Sequence, residues 1–288
     1  MGASSQVLTR VGSLSHVAIV SKYTFLNYFR ARRFYVMFAV VLLISGLLTF
    51  AAAYFRSPFF GFGVPTTGNP SLPFYQAWWG RFVTLVILLS VAFFGGDAIS
   101  GEFQNKTGYF LVPNPVRRSA IYIGKWLAAL GVATLVLATF ALVALANGVY
   151  FFGGSVPAEF GESVLFAWIN LVSVLGLTFL FSSLFKNSAI SILMTVILLL
   201  FAFNVIDTIL TLVAGIEPWF SITYAGGIIS SVLQVPYPVG KTTATGPGGR
   251  FEFSTFNATI PEGLAIMAVY FVVSALIGLA LFERKEFT

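Results

Sequence analysis

The chain has 288 residues, of which 58% are hydrophobic and 9% charged, with a net charge of +6; soluble domains average about 45 to 50% apolar and about 25% charged. So few charges cannot cover a 31.2 kDa globule, and disordered chains are poor in apolar residues and rich in charge. An integral membrane protein remains, with no cysteine for disulfides or thiolate metal sites and a single histidine.

In chain order, residues 1–16 are polar and lack an apolar stretch followed by a small-residue cleavage site, so no secretory signal is expected. Between Ser15 and Arg33, Ile19, Tyr23 and Leu26 fall at helical spacing while Lys22, Arg30 and Arg33 can face headgroups. That pattern predicts an in-plane interfacial helix. A spanning helix needs about 20 mostly apolar residues, and six runs supply them: Phe34 to Tyr54, Ala77 to Gly96, Ile121 to Tyr150, Val164 to Phe185, Ala189 to Ala214 and Gly263 to Phe282. The fold class is therefore all-α integral membrane, in one transmembrane domain over 1–288. Its divisions are an N-terminus at 1–33, helices 1 to 5 at 34–214, a loop at 215–261, and helix 6 with a tail at 262–288.

Arg81 sits one turn inside the second run beside Trp78 and Trp79, where the indoles are expected to join an aromatic belt. Arg56 to Gln76, rich in Gly and Pro, reads as a loop. Trp219 to Val235 is apolar enough to re-enter the membrane, but Gly226-Gly227 and the Ser pair argue against a crossing. Lys241–Thr245 and Arg250–Phe256 flank Gly246-Pro247-Gly248-Gly249, which predicts a small hairpin. No repeat and no linker divides the chain.

Twelve of the 16 cations fall on the side of the termini, and the other four are Arg56, Arg81, Lys241 and Arg250. The positive-inside rule places both termini in the cytoplasm of a multi-pass plasma-membrane protein. The +6 is a topology signal, and nucleic acid is not an expected partner.

Chemical motifs are scarce. Gly240-Lys241-Thr242 imitates the end of a phosphate-binding loop, but Val235 stands where that loop needs glycine. There is no His-Glu-x-x-His, no Gly-x-Ser-x-Gly, and His16 stands alone. Polar residues inside apolar runs are the next signal: Asn147, Asn170, Ser173, Asn204, Asp207, Thr208 and Thr211. Asp207 lies about 27 Å along its helix from Ala189, near the outer interface, where it suits a helix-end carboxylate in water, an interhelical hydrogen bond or a substrate path. No chain of buried carboxylates of the kind that ion-coupled pumps use is visible.

The segment from Gly95 to Lys125 concentrates the remaining information. Asp97 and Glu102 end span 2; Phe103, Tyr109, Phe110 and Leu111 offer an apolar face; Pro115 with Arg117-Arg118 precedes span 3. An apolar and charged knob of this kind suits docking to a cytoplasmic partner or packing on headgroups. At these residues the chain resembles the ABC type 2 permeases, the membrane subunits of exporter-like ABC transporters. The family run of an acid, Ile-Ser-Gly-Glu, a Thr segment, Pro, Arg and Gly-Lys falls on Asp97, Ile99 to Glu102, Thr107, Pro115, Arg117 or Arg118, and Gly124-Lys125. The departure is Gly108-Tyr109-Phe110-Leu111, where relatives carry a plainer Leu-rich stretch.

The resemblance implies a subunit without catalysis or cofactor of its own. It implies two cytoplasmic ATPase subunits carrying ATP and Mg, a second permease copy or paralogue, and contacts with membrane lipids. It casts Asp97, Glu102, Thr107, Tyr109, Pro115, Arg117, Arg118 and Lys125 as coupling residues, with Glu102 paired to Arg117, Arg118 or an ATPase cation. Spans 2 and 5 would line the path, with Asn170, Ser173, Asn204 and Asp207 as candidate contacts, and lipidic, amphipathic or peptide-like cargo would move outward. A secondary transporter or channel, and a membrane-embedded enzyme, stay open as other classes.

Of two Asn-x-Thr sequons, Asn257 is the outward one and eligible for glycosylation, Asn105 the inward one. In intact cells, single cysteines at Thr67 and Thr243 should react with an impermeant maleimide and those at Asn114 and Lys285 should not; labelling at Asn114 overturns the orientation.

Overall fold

The computed structural model describes residues 13–66, 68–105, 117–154, 156–245 and 252–284. Six of its helices are long and apolar enough to cross a membrane. After α1 (Ser13–Arg30) come α2 (Arg32–Phe55), α3 (Leu72–Gln104, in segments), α4 (Arg118–Phe152), α5 (Ala158–Leu184) and α6 (Ser188–Ala214). Two short helices follow, α7 (Ile222–Gly226) and α8 (Ile228–Ser231). A hairpin of β1 (Gly240–Thr245) and β2 (Glu252–Asn257) then leads into α9 (Ile260–Arg284).

In the most apolar windows of α3, α4 and α5, 67%, 50% and 61% of residues are buried, against 22%, 17% and 17% for α2, α6 and α9. The first three therefore form the core, and the others turn most of their apolar surface outward, as helices in lipid can. Close approach uses small residues. A Cβ on Gly278 of α9 would stand 3.2 Å from the Leu180 Cα of α5 and 2.5 Å from the Tyr122 hydroxyl of α4, so only glycine lets these three helices meet there.

The N-terminal helix is separate from span 1. It ends at Arg30, and Ala31 adopts an extended conformation (φ −76°, ψ 137°) before α2 begins. Val17 and Val20 lie against Gly124, and Phe25 against Gly131, so α1 runs along α4. Ile19, Tyr23 and Leu26, the face expected to meet the membrane, are exposed.

Two expectations need correction. The region read as a loop to Gln76 already turns helical at Leu72, five residues before the apolar run, through a π-helical stretch at Gln76–Gly80. Trp78 and Trp79 do not form a belt: both are fully buried, stacked on Phe140, and the Trp79 indole donates to Ser163 Oγ at 2.9 Å. The reason is that the helix turns these rings toward α4 and α5, where aromatic area is worth more than an interfacial seat. Arg81 is exposed, its guanidinium 4.8 Å from the centre of the Phe59 ring.

The pair α7–α8 enters the bundle at the end opposite the termini and does not cross it. Ile222, Ala225, Ile228 and Ile229 are buried, and Ser163 Oγ donates to the Ile229 carbonyl at 2.5 Å. The hairpin forms in the expected place, antiparallel with Gly240 opposite Asn257. Gly240-Lys241-Thr242 opens its first strand, which runs on to Thr245, whereas the Gly-Lys-Thr of a phosphate loop opens a helix.

A Cβ on Gly124 would lie 2.8 Å from Val20 and 3.1 Å from the Val17 carbonyl oxygen. Gly124→Val should therefore push α1 off α4 and lower the melting temperature of the purified chain, at about 1 to 3 kcal/mol. Gly46→Ala, where nothing lies within 4 Å, should leave it unchanged.

Candidate functional site

The site begins with a flaw in α3. Its helical hydrogen bonding lapses at Gly96–Ile99, between Val83–Gly95 and Ser100–Gln104, where Gly95-Gly96 gives poor helix propensity. A break within a membrane strands backbone donors and acceptors that lipid cannot pair. Side chains from three other helices take them up, and a fourth helix adds an ion pair beside them.

From α5, Ser182 Oγ accepts the Ile99 and Ser100 amides at 2.9 and 3.0 Å. From α4, the Lys125 ammonium donates to the Ala98 carbonyl at 2.8 Å and pairs with the Glu102 carboxylate. From α1, Tyr28 donates its hydroxyl to the Phe94 carbonyl at 2.7 Å; burial pushes this phenol well above the usual tyrosine range, so it stays a donor. At the start of α2, Arg33 pairs with Asp97. Beside these groups opens a cavity of about 340 Å³, lined by Asn27, Tyr28, Arg33, Asp97, Glu102 and Lys125 among others. Beyond the break, Gln104 accepts the Ser188 amide at 2.8 Å, tying the end of α3 to the start of α6.

Lys125 is the centre of this arrangement. It is 9% exposed, and a buried ammonium is tolerated only when paired and hydrogen bonded. One partner, Ala98, lies within the break and the other, Glu102, in the short helix beyond it, so the ammonium ties both the break and Ser100–Gln104 to α4.

Glu102 was expected to pair with Arg117, Arg118 or a partner's cation. Among the described residues it pairs with Lys125, which lies farther along α4 than Arg118. Arg118 instead donates to the Glu283 carbonyl at 2.9 Å, joining α4 to the end of α9, and Arg117 is the exposed residue before α4. Thr107, Tyr109 and Pro115 lie outside the described residues. Sequence reasoning missed Tyr28, Ser182 and the pairing of Arg33, all brought to Phe94–Glu102 by packing alone. A lysine inside an apolar run is itself a signal, since such a charge needs an anionic partner nearby.

The path candidates divide. Ser173 is buried and its hydroxyl is used on the Met267 carbonyl at 2.7 Å. Asn204 is exposed and its amide bonds back to Leu199 and Leu200 in its own helix. Asp207 receives the hydroxyls of Ser221 and Thr223, so of the roles weighed for it, hydrogen bonding between segments is the one present. Asn170 is 2% exposed with an unpartnered Oδ1. Among the described residues no three acidic or histidine groups gather as a metal site. Asn257 ends β2 at the hairpin base, half-buried.

A broken second span gripped by its neighbours, in a six-span membrane bundle, fits a transport component. Residues 17–287 match the family described as ABC-2 family transporter protein, so the chain belongs to that family. It is a membrane component of the ABC-2 transporter class. A stretch of 108 residues is 31% identical to an uncharacterized membrane protein, YdbK, of Bacillus subtilis strain 168; it covers 35% of this chain and 44% of that protein.

Removing one partner of the staple leaves the other charge uncompensated. Lys125→Met loses both the ion pair and the Ala98 contact and should cost about 2 to 4 kcal/mol, whereas Glu102→Gln, which keeps Lys125 on Ala98, should cost about 1 to 2. In thermal melts the double variant should be less destabilised than the sum of the singles; additive losses mean that the pair is not coupled.

Proposed function

We propose that the chain is the membrane half of an ATP-driven exporter, with both termini in the cytoplasm of the plasma membrane. Two copies, or this chain and a paralogue, pair in the membrane and dock two cytoplasmic ATPase subunits through the segment 97–118. ATP and Mg reside on those subunits. Closure of the ATPase pair pushes on this segment, and the bundle switches access because ATP favours one of two arrangements. A lipidic, amphipathic or peptide-like cargo moves outward between the permease subunits, past spans 2 and 5.

The observation that carries the reading is the stapled break in α3. A push on Ser100–Gln104 is passed by Lys125 to α4, by Ser182 to α5, by Gln104 to α6 and by Asp97–Arg33 to α2. A plain interfacial connector has no need of contacts to four helices. The twelve-to-four division of cations supports the orientation. The apolar outward faces of α2, α6 and α9 offer area for a second permease subunit.

In a complex reconstituted with its ATPase, Glu102→Ala and Lys125→Ala should each cut cargo-linked ATP hydrolysis severalfold, with subunit stoichiometry read in parallel. Glu286→Ala should do little. Wild-type hydrolysis in both site variants removes the coupling role from this position.

A further inference from the structure

The two flanks of α1 differ. On one, Thr24, Asn27, Tyr28 and Ala31 line the polar cavity beside the staple. On the other, an open groove of about 490 Å³ runs between α1 and α4, within the size of ordinary small-ligand sites, about 300 to 1,000 Å³. Its wall is Val17, Ala18, Phe25 and Leu26 of α1 with Leu127 of α4, and the polar side chains along it are Ser21 and Lys22. Leu26 and Leu127 are exposed, as are Tyr23 and Ile123 one turn away, so the apolar wall continues onto the outer surface of the bundle.

Charge along this flank is of one sign. Lys22, Leu26 and Arg30 follow at four-residue spacing and so share a face of the helix, with the two cations about 12 Å apart along it. Both are exposed, and neither forms an ion pair among the described residues. The chain brings no counter-charge of its own nearby in sequence. Five cations stand within residues 1–33, and the first acidic residue is Asp97, which pairs with Arg33.

We propose that the α1–α4 groove binds one anionic phospholipid, its phosphate held by Lys22 with Ser21 and one acyl chain laid along the apolar wall. The chemistry matches at both ends of such a ligand. A basic amphipathic helix attracts anionic lipid through its cations while its apolar residues sit among the acyl chains. Here cation and apolar wall belong to one groove, which fixes where the lipid lies. A zwitterionic lipid offers the same chains but brings an ammonium to a flank that already carries Lys22 and Arg30 without anions. Tyr28 of the same helix caps the Phe94 carbonyl, so a lipid that holds α1 on α4 also steadies that cap. The inference needs a membrane around the chain and does not rest on the coupling role proposed above.

The test titrates the purified full-length chain, in a neutral detergent, with dioleoylphosphatidylglycerol or with dioleoylphosphatidylcholine, which has the same chains. Thermal unfolding is read beside native mass spectrometry of retained lipid. The phosphatidylglycerol should raise the melting temperature saturably, stay bound as a single molecule per chain and bind at least tenfold more tightly than the phosphatidylcholine, the gap narrowing at high salt. Lys22→Glu should weaken its binding tenfold or more, whereas Lys22→Arg and Lys241→Glu, the same charge reversal on β1, should not. Ala18→Phe fills the groove from its wall and should weaken both lipids. Ala18 and Lys22 are exposed, so the lipid-free melts of these variants should match the unaltered chain. Equal binding of the two lipids overturns the proposal. So does an effect of Lys22→Glu with none of Ala18→Phe, which means diffuse attraction to a basic surface, or the reverse, which means a groove that selects chains and not charge. A chain that runs as a dimer and retains no lipid gives the groove to a second copy and overturns it as well.

Discussion

A helix that breaks inside a membrane must find partners for the backbone groups it releases, since the surrounding hydrocarbon offers none. In this protein the break at Gly96–Ile99 is paired by Ser182, Lys125 and Tyr28, and flanked by the Arg33–Asp97 pair. The placement of α1, α2, α4 and α5 around the end of α3 follows from that demand. The same contacts that make the break tolerable also join the short Ser100–Gln104 helix to the bundle.

Lys125 shows why the arrangement is not replaceable by packing. An apolar residue could fill the space between α3 and α4, but it could not cap Ala98 or hold Glu102. Desolvating an ammonium is costly, and the ion pair with the carbonyl contact offsets that cost only while both partners stay in place. If the staple opens, the Lys125 ammonium, the Glu102 carboxylate and the Ala98 carbonyl must all be met by water.

The opposite end follows a different logic. There α7 and α8 fill the bundle without crossing it, held by Ser163 to the Ile229 carbonyl and by Tyr270 to the Phe220 carbonyl. Tyr224 donates to Glu217 in the same loop, and burial followed by that carboxylate's influence holds its phenol well above its usual range. The apolar stripes of α2, α6 and α9 remain uncovered by the chain itself, which suits lipid.

The six spans, the separate N-terminal helix, the non-crossing re-entrant pair and the hairpin were all legible in the sequence, because each depends on local properties: run length, helical periodicity, Gly and Pro punctuation, strand alternation. Asp97, Glu102 and Lys125 were legible too, as charges beside or within apolar runs that had to be neutralised. The identity of their partners was not. Whether Glu102 meets Arg118 or Lys125, and whether Trp78 and Trp79 face lipid or Phe140, depends on how α3 is rotated about its axis. That rotation is set by where the π-helical stretch and the Gly95-Gly96 break fall and by which neighbours leave room, such as Gly148 of α4 against the Tyr75 ring. Composition and periodicity act along one helix at a time, whereas the pairing of buried charges and orphaned backbone groups is decided among helices far apart in the chain, and only the packed bundle brings those together.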